Sequence, residues 1–172
     1  MENKIIIFGI APGVYEEILS VALVPRRLGM KIHYMAVGMD AIGKVPWNLK
    51  YVVSNHVEDL PAIVEKMKGQ ASKYQIVCPY KTELVDIVFD PPYEGPSGSS
   101  AIVGALAALR LGYEKIILCG IHLTGNAFEG NSYEAFRPGW TYHKDKFVGK
   151  VKSTGGWTQE LLGAPTREWL EY

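Results

Sequence analysis

The sequence predicts a three-layer α/β fold built on a mainly parallel sheet, and three observations carry that expectation. Short aliphatic runs, "KIIIF" at Lys4–Phe8, "YQIVC" at Tyr74–Cys78 and "KIILC" at Lys115–Cys119, lack polar alternation, as strands buried on both faces do. Segments with helical spacing separate such runs. The alternation of strand and helix then implies parallel strands joined by right-handed crossovers.

Taken in order, Lys4–Phe8 ends at Gly9 and suits a central strand. Val14–Leu23 follows with Ile18, Leu19 and Ala22 toward one face, and Pro25 is expected to limit this helix. Lys31–Val37 and Tyr51–Ser54 read as strands around a loop, "GMDAIGKVPWN". Asp59 is expected to cap a helix that carries Pro61 in its first turn, buries Leu60, Ile63, Val64 and Met67, and ends at Gly69. After Tyr74–Cys78, Leu84–Phe89 suggests a short strand within a long connection. Ser99–Leu111 has a single charge, Arg110, and an apolar stripe at Ile102, Ala105, Leu106 and Leu109, so it packs deeply before Gly112 stops it.

A chain of 172 residues fits one domain, with a core over 1–121 and an irregular tail over 122–172. The tail is rich in glycine, aromatics and polar residues, with little periodicity outside Thr158–Leu162. It follows a central strand at its C-terminal end, where open α/β sheets place ligands, and so reads as a lid, a binding wall or a contact in a homo-oligomer. No internal repeat and no low-complexity tract interrupts the chain.

Eighteen Lys and Arg balance eighteen Asp and Glu, so no overall field attracts nucleic acid or an anionic membrane, and any anion must be held locally. The apolar runs are too short to span a bilayer, and the N-terminus lacks the order of a signal peptide, which together imply a cytoplasmic protein. Cys78 and Cys119 show no metal or redox spacing and read as reduced core thiols.

Two glycine-containing turns stand out: "GIAPG" over Gly9, Ala11, Pro12 and Gly13, and "GPSGSS" with Ser97, Gly98, Ser99 and Ser100. Glycine permits close ligand approach, and the first amides of a helix attract anions, so either turn suits a phosphate. The alternative is that the serines only cap the helix. Neither turn is a Walker or GxGxxG motif, and no metal site is expected. Asp86, Asp90 and Glu94 fit a solvated loop better than a cation.

Of the four histidines, His33 lies within a strand and reads as structural, while His56 follows a strand end and faces a ligand crevice if one exists. His122 stands just past Gly120, where such folds meet ligand, and His143 lies in the tail. The tail aromatics Phe136, Trp140, Tyr142, Trp157 and Trp169 suit either a stacked base or sugar, or an interface.

The segment "GPSGSSAIVGALAALRLGYEKIILCGIHL" resembles one shared by bacterial lipooligosaccharide sialyltransferases, motility-accessory glycosyltransferases and archaeal-type hydroxymethyl-dihydropterin diphosphokinases. The features in common are a Ser-Gly turn, a small-residue helix, Gly112-Tyr113 and an aliphatic strand closed by Gly120-Ile121. The Gly9–Gly13 turn is similar to the Gly-Asn-Gly-Pro-Ser turn of those enzymes, with Ile10 in place of asparagine, and His122 stands in place of an acidic residue. Over most of its length, including "YVVSNHVEDLP" and "VKSTGGWTQELLGAPTREWL", the chain also resembles short proteins encoded by bacteriophages and prophages.

The resemblance implies a Rossmann-like domain that binds a nucleotide or nucleotide-sugar, with phosphate and ribose held by the two turns and Gly120. It further implies glycosyl or diphosphoryl transfer. A histidine base follows the strand closed by Gly-Ile-Asp in the sialyltransferases, and His143 has the corresponding order in the chain, with His122 as its rival. A phage-encoded module that binds the ligand without chemistry, or assists assembly, is the alternative.

Overall fold

The computed structural model describes residues 4–89, 94–125 and 132–172. Within them, seven strands form one sheet: β1 (Lys4–Phe8), β2 (Ile32–Val37), β3 (Tyr51–Val53), β4 (Gln75–Cys78), β5 (Ile87–Val88), β6 (Lys115–Cys119) and β7 (Val151–Ser153). Every pairing is parallel, in the order β5-β4-β3-β2-β1-β6-β7. The fold is a three-layer, Rossmann-like α/β domain.

Aliphatic strands buried on both faces explain the three layers. Ile6, Phe8, Ala36, Val52 and Cys119 face helices α1 (Val14–Arg27) and α2 (Leu60–Met67), with Leu170 of α6 (Arg167–Glu171) completing that side. Ile5, Ile7, Met35, Val53 and Leu118 face α3 (Ser99–Arg110), joined by Trp140 and Phe147 of α4 (Arg137–Phe147) and by Leu161 of α5 (Gly156–Leu162). Helix α3 is buried continuously from Ala101 to Ala108. Gly104 lets it lie flat on the sheet, since a Cβ there would stand 2.9 Å from Met35 Sδ. The helix closes at Gly112 (φ +85), whose amide donates to the Leu109 carbonyl while Tyr113 N donates to Ala108 O, a conformation that suits glycine.

Three elements differ from the sequence expectation. Helix α1 runs past Pro25 to Arg27, with Pro25 inside its last turn, and closes only where Gly29 N and Met30 N fold back onto the Arg26 and Pro25 carbonyls. Asp59 makes no side-chain cap on α2; a 3₁₀ turn at Val57–Asp59 leads directly into the helix, so Asp59 is already helical. The described part of the tail is also more regular than its composition suggests. In α4, Gly139, Trp140, His143 and Phe147 are buried at helical spacing, a pattern that a glycine and a histidine hide from an apolar count. Three-residue β7 is too short to show alternation.

The chain steps outward from β1 to β5, then returns through α3 to place β6 and β7 on the other side of β1. The strand order reverses between β1 and β6, and open α/β sheets form a crevice at the C-terminal ends of such a pair. No helix among the described residues is long and apolar enough to cross a membrane.

Candidate functional site

A cavity of about 900 Å³ occupies that crevice. Both glycine-containing turns reach it: Gly9, Ala11 and Pro12 from the first, and Ser97, Ser99 and Ser100 from the second. Gly120 and His122 line the wall beyond β6. Gly13, Gly98 and His143, also expected at the site, are not among its lining residues.

The first turn is locked to β6. Gly9 N donates to Cys119 O at 3.0 Å and Ala11 N to Gly120 O at 3.2 Å, so neither amide is offered to a ligand. A Cβ on Gly9 would stand 2.7 Å from the Gly120 carbonyl oxygen. This glycine serves the close approach of two chain segments. Gly13, just outside the cavity, is the N-cap of α1.

The second turn is partly occupied by its own hydroxyls. Ser97 Oγ accepts from Ser99 N and Ser99 Oγ from Ala101 N, both at 3.3 Å, while Ser100 Oγ accepts from Asn55 N at 2.9 Å and ties the turn to the end of β3. The two bonds at 3.3 Å lie beyond the usual range for N–H···O, so a better acceptor could displace them. Ser99 (φ 69) and Leu123 (φ 52) are the described non-glycine residues with positive φ, and both line the cavity. Strain of this kind gathers at ligand sites.

Helix α4 supports the second turn from behind. Trp140 Nε1 donates to Gly98 O at 3.0 Å, and a Cβ on Gly139 would stand 2.6 Å from Gly98 N. His143, one turn on, is buried, and its Nε2 donates to the Glu94 carbonyl at 2.8 Å. Burial first, then Lys146, lowers the His143 pKa, so the neutral ring is favoured. The tail therefore carries His143 beneath the turn and not to the cavity wall. Its order in the chain resembled that of the sialyltransferase histidine, but the fold places it in a packed support.

His122 is placed differently. Its Nε2 lies 2.6 Å from Glu17 Oε1, with both side chains mostly shielded, at 23% and 18% exposure. Glu17 Oε2 accepts from Gly120 N at 2.7 Å and from Thr154 Oγ1 at 2.5 Å. One carboxylate on α1 thus braces the turn after β6 and the turn after β7. The segment Ser153–Thr158 closes over it: Trp157 N donates to His122 O at 2.9 Å and Thr158 Oγ1 to Ile121 O at 2.6 Å. Gly156, at φ +68, presses so closely that a Cβ would stand 2.3 Å from that of His122.

The opposite wall comes from the ends of β2 and β3. Asp40, Asp59 and His56 line it, with His56 exposed and its Nδ1 3.4 Å from Glu58. Asn55 also lines it, and its Oδ1 is buried with no hydrogen-bond partner. An orphaned acceptor of this kind awaits a donor. No Lys or Arg appears among the described lining residues.

The remaining sequence candidates fall elsewhere. His33 bonds the Tyr113 hydroxyl at 2.5 Å, and burial lowers the His33 pKa and raises that of Tyr113. Asp86 accepts from Ile76 N at 2.7 Å, and Asp90 lies outside the described residues. Among the described residues no three His, Cys, Asp or Glu side chains gather as a metal site. Cys78 and Cys119 are buried free thiols, with pKa values raised by burial. Of the described tail aromatics, Tyr133 and Phe136 line the cavity; Trp140 and Phe147 pack together, Trp157 lies under Arg137, and Trp169 lies under Lys115.

Sequence reasoning missed Glu17, Asn55, Asp40 and Tyr133. An acidic residue in the first turn of a helix is common, so Glu17 offered no local signal. Asp40 and Asn55 sit just past strand ends, a position that could have flagged them, whereas Tyr133 lies in a 3₁₀ turn of the tail with no such mark.

Compared with models of known families and with curated proteins, the chain matches none.

Proposed function

We propose that the protein binds a nucleotide or nucleotide-sugar in this cavity and transfers a glycosyl or diphosphoryl group to a hydroxyl acceptor, with His122 as the base. One observation carries the reading: two glycine-containing turns, the strained start of α3 and a carboxylate-paired histidine all border one cavity at the β1/β6 reversal. In this reading the start of α3 takes phosphate, while Asp40, Asp59 and the orphaned Asn55 acceptor take ribose or base donors. Action in the cytoplasm, that of the host where the gene is phage-borne, belongs to the same proposal.

A second reading has its own support. The described lining carries two aspartates and no Lys or Arg, a poor match for neutralising the charge of a leaving diphosphate. A module that sequesters the ligand without chemistry needs no such neutralisation.

Thermal shift with CMP, UDP, ATP, their sugar conjugates and cyclic nucleotides tests the common part. A ligand at a hundredfold its Kd adds about 2.7 kcal/mol, which for this length raises Tm by roughly 5–10 °C. No shift with any of them would remove both readings. A shift without group transfer to any hydroxyl acceptor or water would leave the sequestering module.

A further inference from the structure

We infer that Glu17 is a positioning residue that holds His122 as its Nε2–H tautomer and so fixes Nδ1 as a proton acceptor toward the cavity. The chemistry assigned to the acceptor rests on the reading above, but the tautomer does not.

The assignment follows from donor and acceptor inventory. A carboxylate only accepts, so the 2.6 Å contact requires His122 to donate from Nε2. A neutral imidazole that donates from one nitrogen accepts at the other. The Nε2 edge is packed: a Cβ on Gly155 would stand 2.7 Å from Nε2 and 3.3 Å from Cδ2. Gly156 covers the ring root on the same side. The open edge is therefore Nδ1 and Cε1, and His122 is a lining residue. Nδ1 takes no hydrogen bond from a described residue.

Glu17 is itself held in place. Its second oxygen accepts from the Gly120 amide and the Thr154 hydroxyl, so the carboxylate cannot rotate without losing two bonds. Base and orienter in hydrogen-bond contact, with the base at a cavity wall, form the arrangement used to activate a hydroxyl. In the transfer step, Nδ1 takes the proton of an alcohol or water acceptor as its oxygen forms a bond to the sugar carbon or phosphorus of the nucleotide. The bond to the leaving phosphate breaks, the phosphate keeps the electron pair, and the imidazolium later releases its proton to solvent.

A simple brace is the competing account, and Glu17→Gln separates the two. The Gly120 N–H needs an acceptor, so the glutamine oxygen turns toward Gly120 and its NH₂ toward His122. Nε2 must then accept, and the proton moves to Nδ1. The test is long-range ¹H–¹⁵N NMR of the whole chain at alkaline pH, with the His122 signals assigned by their loss in His122→Asn. The expected result is Nε2–H in the wild type, Nδ1–H in Glu17→Gln, and Nε2–H in Thr154→Val, which loses a brace but keeps the carboxylate. A wild-type spectrum showing Nδ1–H or a mixture overturns the inference, as does a folded Glu17→Gln protein with an unchanged tautomer. If Glu17→Gln does not fold, the wild-type and Thr154→Val spectra decide. The measurement needs no ligand, so failure of nucleotide binding and failure of the dyad remain separate results. Where a transferred nucleotide is found, Glu17→Gln should lower kcat by about 10- to 1,000-fold with KM within about threefold. Loss confined to KM would return Glu17 to the role of brace.

Discussion

His122 and His143 are both mostly shielded and both hydrogen-bonded through Nε2, yet their surroundings assign them opposite work. His122 donates to a carboxylate and keeps its other edge on a cavity. His143 donates to a backbone carbonyl and is packed into α4 beneath the second turn. The partner and the open edge, more than chain order, distinguish a candidate base from a support.

The largest expected effect tests that distinction directly. His122→Ala should slow turnover by about 100- to 10,000-fold while the nucleotide-induced rise in Tm is retained. His143→Gln should keep turnover of the folded fraction within about tenfold. Single-turnover rates on both variants break the comparison if the His143 variant is folded and inactive while the His122 variant still turns over.

Next comes the support beneath the turn. Trp140 is fully buried against Phe147 and donates to Gly98 O. Trp140→Ala should cost about 3–5 kcal/mol, or roughly 6–20 °C in Tm, through cavity formation and an orphaned carbonyl. Trp140→Phe keeps most of the volume but not the donor, so the difference between the variants isolates the hydrogen bond. A loss below about 1 kcal/mol for Trp140→Ala would show that α4 does not hold the turn.

These two predictions also mark what the sequence could reveal. Aliphatic runs such as "KIIIF" and "KIILC" are local signals, and each became a strand of the parallel sheet. Helix α3 was legible from its stripe, and its turn from the serines that precede it. Glu17 was not legible, because its meaning depends on Gly120, His122 and Thr154, which are brought to it only by the fold. His143 was misplaced for the same reason: whether a tail histidine reaches a crevice depends on α4 docking under Gly98, a long-range event with no mark near His143 itself. The aspartate at the start of α2 suggested a cap, but the preceding 3₁₀ turn removed that need.

A smaller effect lies in the pH dependence of stability. Burial lowers the folded-state pKa of His143, so below the unfolded value of about 6.5 the unfolded chain binds the proton more readily than the folded one. Stability therefore rises with pH across the window between the folded and unfolded values, and falls as pH drops through it. His33, also lowered by burial, contributes with the same sign. Urea denaturation at a series of pH values should show a shallower slope in this window for His143→Gln than for the wild type. An unchanged slope would mean that His143 is not desolvated in solution, and the contrast with His122 would narrow.

The smallest effect concerns the strained start of α3. Ser99 holds φ at 69, a conformation that costs a side-chain-bearing residue about 1–2 kcal/mol and glycine almost nothing. Ser99→Gly regains that strain but enlarges the freedom of the unfolded chain, worth about 0.4–1 kcal/mol in the other direction, and loses a 3.3 Å bond to Ala101 N. The net change should be a stabilisation of roughly 0–1 kcal/mol, unusual for a mutation at a helix start. If the strain serves the ligand, by presenting the Ser99 hydroxyl to the cavity, the same variant should bind nucleotide about 5- to 10-fold more weakly. Higher Tm with weaker binding would place Ser99 with His122 on the working wall of the cavity. Higher Tm with unchanged affinity would place it with His143, among the residues that only hold the turn in shape.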